Sequence, residues 1–129
     1  MPRLQRNSTK QKKISATFLA YVAPTLDPMG LSPADPESEP LLRACWATWN
    51  AVVFADVVGR TDLLDALLDP TRSSPASVIL VKALVERKRS RRFAADDRLI
   101  GDYKIRVVDG EIRLWAEARD PYPKDQTAS

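Results

Sequence analysis

Apolar residues recur at helical spacing through the first two thirds of the chain and alternate in the last third, which predicts helices followed by a hairpin. The first apolar stretch, Ile14 to Ala23, satisfies both periods. Ile14, Phe18 and Val22 fit one helical face, while Ile14, Ala16, Phe18, Ala20 and Val22 also alternate. We read it as a helix, with a strand as the alternative. Pro24, Pro28, Pro33, Pro36 and Pro40, with Gly30 among them, then predict a proline-rich loop over 24–40 that wraps the domain or forms a flap.

The strongest helical pattern covers about 39–58. Ser38 is placed to cap it, Pro40 suits its first turn and Gly59 its stop. Steps of ~100° per residue put Leu41, Cys45, Trp46, Trp49, Val52, Val53 and Val57 on one arc. The other side holds Ala44, Ala47, Thr48, Ala51, Ala55 and Val58, and only Arg43, Thr48, Asn50 and Asp56 are polar between 41 and 58. A helix apolar nearly all round belongs in the middle of the fold or between two subunits. A short helix capped by Thr61 follows, with Leu63, Leu64, Leu67 and Leu68 on one side and Asp69-Pro70 as its stop. Ser74-Pro75 opens another, with Val78, Val81, Leu84 and Val85 inward and its end near Arg92 or Phe93.

The last third changes period. Leu99, Gly101, Tyr103, Ile105 and Val107 share one parity, Asp109-Gly110 signals a type I′ turn, and Ile112, Leu114, Ala116 and Ala118 continue the face. A two-residue turn sets the register of a hairpin over about 99–119. Val107 then faces Ile112, Ile105 faces Leu114 and Tyr103 faces Ala116 on the inner side; Arg106 faces Arg113 and Lys104 faces Trp115 on the outer. The expected fold class is α+β: a small core of three to four helices around a central buried one, with a C-terminal antiparallel β-hairpin. The expected organisation is a flexible basic arm over 1–13, one globular domain over 14–120 and a polar tail over 121–129.

Composition narrows the chemistry. The 129 residues suit one domain, and the single cysteine, Cys45, can form no internal disulfide. Apolar runs read as shorter than the ~18 residues of a membrane span, and the N-terminus lacks the apolar stretch of a secretory signal, so a soluble cytoplasmic protein with no membrane contact is expected. The chain contains no histidine, which rules out Ser/His/Asp and Cys/His nucleophile systems. One cysteine without histidine cannot supply the usual zinc ligands. No catalytic residue, metal ligand or cofactor is therefore assigned, and binding is favoured over catalysis.

Charge supplies the candidate site. The net charge is +3, made of blocks: +5 over 1–13, −4 over 14–40, −2 over 41–70, +5 over 71–100 and −1 over 101–129. Arg87, Lys88, Arg89, Arg91 and Arg92 form a basic cuff at a helix end, and because they project in all directions they cannot all pack. Arginine forks grip phosphate bidentately and clustered bases release counterions, so nucleic acid or another polyanion is the natural partner. The same bases would also complement a helix C-terminus. Lys12 and Lys13 in the arm, and Lys104, Arg106, Arg113 and Trp115 on the outer face of the hairpin, extend that candidate surface. Asp56 falls near the centre of the apolar arc, where a buried carboxylate needs a partner such as Arg60 or Arg98, or serves as a perturbed acid.

The leading expectation is a small non-enzymatic nucleic-acid-binding accessory protein. The second is a protein-interaction or adaptor module, or a homodimeric structural protein. The third is a Mg²⁺-dependent nuclease using carboxylates among Asp96, Asp97, Asp102, Glu111 and Glu117.

Overall fold

The structure, a computed structural model, describes residues 13–121. The first helix, α1 (Ile14–Leu26), resolves the double periodicity of its sequence. It buries Ile14, Thr17, Phe18, Tyr21, Val22 and Leu26 on one face. It also runs through Pro24, past the boundary that proline suggested. Pro24 is exposed, so its ring lies toward water, where a proline disturbs a helix least.

The 24–40 segment is a wrap built from two short 3₁₀ turns, Asp27–Met29 and Pro36–Ser38, separated by Gly30 in the left-handed region (φ 68°). Ser38 is fully buried, and its hydroxyl donates to the Ser32 carbonyl at 2.6 Å. It therefore staples the wrap and does not cap the following helix, as its position had suggested.

The central helix, α2 (Glu39–Val53), continues into a π-helical turn, Phe54–Val58, and ends on Gly59 at φ 87°. Its buried residues are Leu42, Cys45, Thr48, Trp49, Ala51, Val52 and Val53. Leu42, Cys45, Trp49 and Val53 join α1 in the larger core. Ala51 and Val52 form a second cluster with residues of the next two helices. Between 36 and 58 the chain is long and apolar enough by length and composition to cross a membrane, contrary to the expectation of shorter runs only. Arg43 and Asp56 are the only charges from 41 to 58. In the fold this helix is the hub, which accounts for the same composition.

The π-turn corrects the reading of Asp56. A wider turn advances less per residue, so the side chain that a regular helix would aim inward swings to the surface. Asp56 is exposed and pairs with neither Arg60 nor Arg98. It accepts two hydrogen bonds from Arg89, at 2.9 Å from Nε and 2.8 Å from Nη2. Arg60 instead reaches Asp62 at 3.3 Å, and Arg98 pairs with Asp96 at 2.6 Å.

The third helix, α3 (Asp62–Leu67), buries Leu64, while Leu63 stays exposed, and no hydrogen bond from the Thr61 side chain caps it. The fourth, α4 (Pro75–Lys88), is capped by Ser74, whose hydroxyl accepts from the Ser77 amide. It ends before the Arg92 or Phe93 expected from its pattern. The Ser90 hydroxyl and amide both take the Arg87 carbonyl, and the turn that follows brings Phe93 into the core.

Strands β1 (Leu99–Val108) and β2 (Glu111–Arg119) form an antiparallel pair in the register the turn chemistry predicts, including Arg106 opposite Arg113 and Lys104 opposite Trp115. Asp109 and Gly110 both have positive φ, 53° and 80°, as a type I′ turn requires. Between Ile100 and Tyr103 the register shifts by one residue. This bulge changes which parity faces inward, so Ile100, and neither Leu99 nor Gly101, becomes the fully buried residue at the base of the hairpin. The fold is thus α+β, with four helices and a C-terminal two-stranded sheet among the described residues.

Candidate functional site

The basic cuff does not all pack, as its spacing implied, but three of its five bases are engaged within the protein itself. Arg87 donates to the Tyr21 carbonyl at 2.7 Å and to Thr25 Oγ1 at 2.9 Å, with its guanidinium over the Tyr21 ring. Lys88 is buried, donates to the Phe93 and Asp96 carbonyls at 2.8 Å each, and lies 4.4 Å from the Trp49 ring centre. Arg89 is held by Asp56. Only Arg91 and Arg92 remain exposed without a carboxylate partner among the described residues, and Arg92 leans on the Phe93 ring. No sequence signal separates the inward bases from the outward ones, because the separation depends on where α4 stops.

The hairpin is organised differently at its two ends. In a two-residue hairpin Val108, Arg106 and Lys104 exchange hydrogen bonds with β2, so the backbone groups of Tyr103, Ile105 and Val107 point away from the partner strand, as do those of Ile112, Leu114 and Ala116. At the base the helices close these edges. The Asn50 amide accepts from the Ile100 N–H at 2.8 Å and donates to its carbonyl at 2.9 Å, imitating a third strand. Trp46 adds a second donor to that carbonyl at 2.8 Å, and Trp49 donates to the Arg98 carbonyl at 2.7 Å. On the other edge the Ser15 hydroxyl accepts from the Ala116 N–H at 2.7 Å and donates to its carbonyl at 3.3 Å. The Asp102 carboxylate accepts from the Tyr103 N–H at 2.8 Å.

Beyond this seal the hairpin stands clear of the helices. Tyr103 packs against Phe18 and Trp46, and Ile105, Leu114 and Ala116 line the core. Val107 and Ile112, next on the same face, are 61% and 44% exposed. No hydrogen bond from outside the hairpin reaches Ile105, Val107, Ile112 or Leu114 among the described residues. A cleft of about 570 Å³ runs along this open part of β1, between Tyr103, Ile105 and Val107 on one side and the Pro33–Pro36 turn, Leu42 and Trp46 on the other. Burial raises the Tyr103 phenol above its usual range, so it stands there as a neutral hydroxyl.

The outer face carries Lys104, Arg106, Arg113 and Trp115, all exposed, with Trp115 at 45%. Arg113 pairs loosely with Glu111 at 3.2 Å, and Glu117 is held by Arg119 at 2.8 Å. Lys104 and Arg106 have no carboxylate partner among the described residues. Lys13 joins Arg113 and Trp115 around a groove on the β2 side. Lys12 lies outside the described residues, as does the rest of the 1–12 arm.

The acids named for a nuclease are not brought together. Asp96 is tied to Arg98, Glu111 to Arg113 and Glu117 to Arg119, and the described residues contain no group of three His, Cys, Asp or Glu that could hold a metal ion. What the geometry gathers instead is a basic and aromatic outer face on a hairpin whose distal half is uncovered. The chain matches no protein family, no curated protein and no solved structure, so the reading of this face rests on its own chemistry.

Proposed function

We propose that this is a non-enzymatic, cytoplasmic, nucleic-acid-binding accessory protein whose contact surface is the outer face of the distal hairpin. The observation that carries the reading is the set Lys104, Arg106, Arg113 and Trp115, adjacent across the two strands and exposed. Two like charges directly opposite each other, as Arg106 and Arg113 are, repel, and Glu111 offsets only Arg113, at 3.2 Å and exposed to solvent. A phosphate oxygen bridging the two guanidinium forks removes that cost. The cuff contributes Arg91 and Arg92 at most, since the other three bases hold the fold together.

The test is affinity for a labelled oligonucleotide as a function of salt. Lys104→Glu with Arg106→Glu should weaken binding at least ~10-fold and flatten the dependence of log K on log salt by about 1.5, since each phosphate contact contributes roughly 0.7–0.9. Arg91→Glu with Arg92→Glu should change affinity less than about two-fold, because these residues lie outside the proposed contact. Affinity that is indifferent to the hairpin pair, or lost with the cuff pair alone, would refute the assignment.

A second reading follows from the open edge of β1. A protein segment could add as a strand along Ile105 and Val107 and fill the cleft against Leu42 and Trp46. Binding of that kind would depend little on salt and would be insensitive to Lys104→Glu, since Lys104 lies outside the cleft.

A further inference from the structure

Resting on the nucleic-acid reading above, we propose that the ligand is single-stranded, with an unpaired base stacked on Trp115 and neighbouring phosphates on Lys104, Arg106 and Arg113. The other two tryptophans are committed: Trp46 and Trp49 both spend their indole N–H on backbone carbonyls at the hairpin base. Trp115 has neither a hydrogen-bond nor an aromatic partner among the described residues, and it is 45% exposed. Its cross-strand neighbour is Lys104. The ring therefore lies on a basic surface with an apolar face turned to solvent.

The exposed ring selects the form of the ligand. Alternate residues on one face of a strand are ~6.8 Å apart and neighbouring strands ~4.8 Å apart, so Trp115 and Arg113 are about 6.8 Å apart along β2, with Lys104 and Arg106 alongside. A ring set among cations at this spacing can take an unpaired base on its free face while the flanking phosphates meet Lys104, Arg106 and Arg113. A duplex closes its base faces in its own stack, leaving this ring nothing to cover. Of the acids on the same face, Glu117 is offset by Arg119 and Asp102 accepts from the Tyr103 amide, while the exposed Glu111–Arg113 pair, 3.2 Å apart, opens when Arg113 takes a phosphate.

The test uses the full chain with an oligothymidylate of about 15 nucleotides and a duplex of equal length. The single strand should bind at least ~10-fold more tightly, quench the emission of the exposed tryptophan, and show a log–log salt slope near −2 for three phosphate contacts. Trp115→Ala should lose roughly 5-fold to 100-fold in affinity and most of the quenching, while Trp115→Phe, which keeps a stacking ring, should retain most of the affinity. Both changes are at an exposed position, and unchanged circular dichroism would establish that each variant is folded. Equal affinity for duplex and single strand, or no loss with Trp115→Ala, overturns the single-strand assignment and leaves the polyanion reading standing. Failure of both nucleic acids to bind overturns both.

Discussion

Lys88 is 3% exposed, and what makes a buried ammonium tolerable there is a ring face and two carbonyls. The Trp49 ring lies 4.4 Å from Nζ, and the Phe93 and Asp96 carbonyls accept at 2.8 Å. Burial lowers its pKa, with the charges of Asp96, Asp56 and Asp97 acting in the opposite sense. Lys88→Met would keep the stem but leave both carbonyls without their donor. Relief of the desolvation cost acts the other way, but hydrogen bonds to a charged group are worth about 1.5–3 kcal/mol and orphaned acceptors add to the loss. We expect a net destabilisation of about 2 kcal/mol, or roughly 8 °C in Tm. A thermal melt showing an unchanged or raised Tm would mean that desolvation dominates this site. The residue entered the sequence reading as a phosphate ligand, since a run of bases reads alike whether its members point out or in.

At the scale of elements, the hairpin depends on side chains borrowed from helices. A lone two-stranded hairpin is marginal in water, and here Asn50 of α2 and Ser15 of α1 each occupy an open strand edge as a third and fourth strand would. Asn50→Leu keeps the volume but removes the acceptor of the Ile100 N–H, leaving it unsatisfied at the edge of the core, while the Ile100 carbonyl keeps its bond from Trp46. The expected cost is about 1–3 kcal/mol. Hydrogen exchange should show the loss first in β1 amides and later in α2; uniform loss of protection would mean that the hairpin does not open separately. The turn and register of this element were legible in Asp109-Gly110 and the alternation around it, because a two-residue turn admits one register. The bulge at its base was not legible, since it is imposed by the need to seat Ile100 under α2.

At the scale of the whole molecule, two groups in one core set the response to alkali. Burial pushes the Cys45 thiol up to about 12 from an ordinary 9.0, and raises the Tyr21 phenol well above its usual range. The unfolded chain releases the Cys45 proton near pH 9 while the folded chain keeps it, so the unfolded state binds fewer protons and stability falls as pH rises from about 9 to about 12. That slope is roughly 1.4 kcal/mol per pH unit. Tyr21 adds in the same direction at higher pH, and the lowered pKa of Lys88 acts oppositely below its ordinary 10.5. Comparing the native chain with Cys45→Ala isolates the thiol. The stability difference between them, measured by denaturant titration, should shift in favour of the variant by about 1.4 kcal/mol per pH unit above pH 9. A difference independent of pH would show that the thiol is not buried in this way.

The sequence by itself determined most of the elements and the chemistry they exclude: period separates helix from strand everywhere but Ile14 to Ala23, Ser74, Gly59 and Asp109-Gly110 punctuate the chain, and the lack of histidine removes whole classes of catalyst. These are local properties, set by neighbours a few residues apart. Only the tertiary structure decided which charges are available. Asp56 turned outward because a π-turn interrupts the rotation of α2, and it then claimed Arg89, 33 residues further on. Arg87 and Lys88 turned inward because α4 ends where Tyr21, Trp49 and Phe93 meet. Whether a side chain is free for a partner depends on what lies across from it in space: Lys104, Arg106 and Trp115 stay uncommitted on the hairpin, while three of the five bases at 87–92 are engaged within the fold.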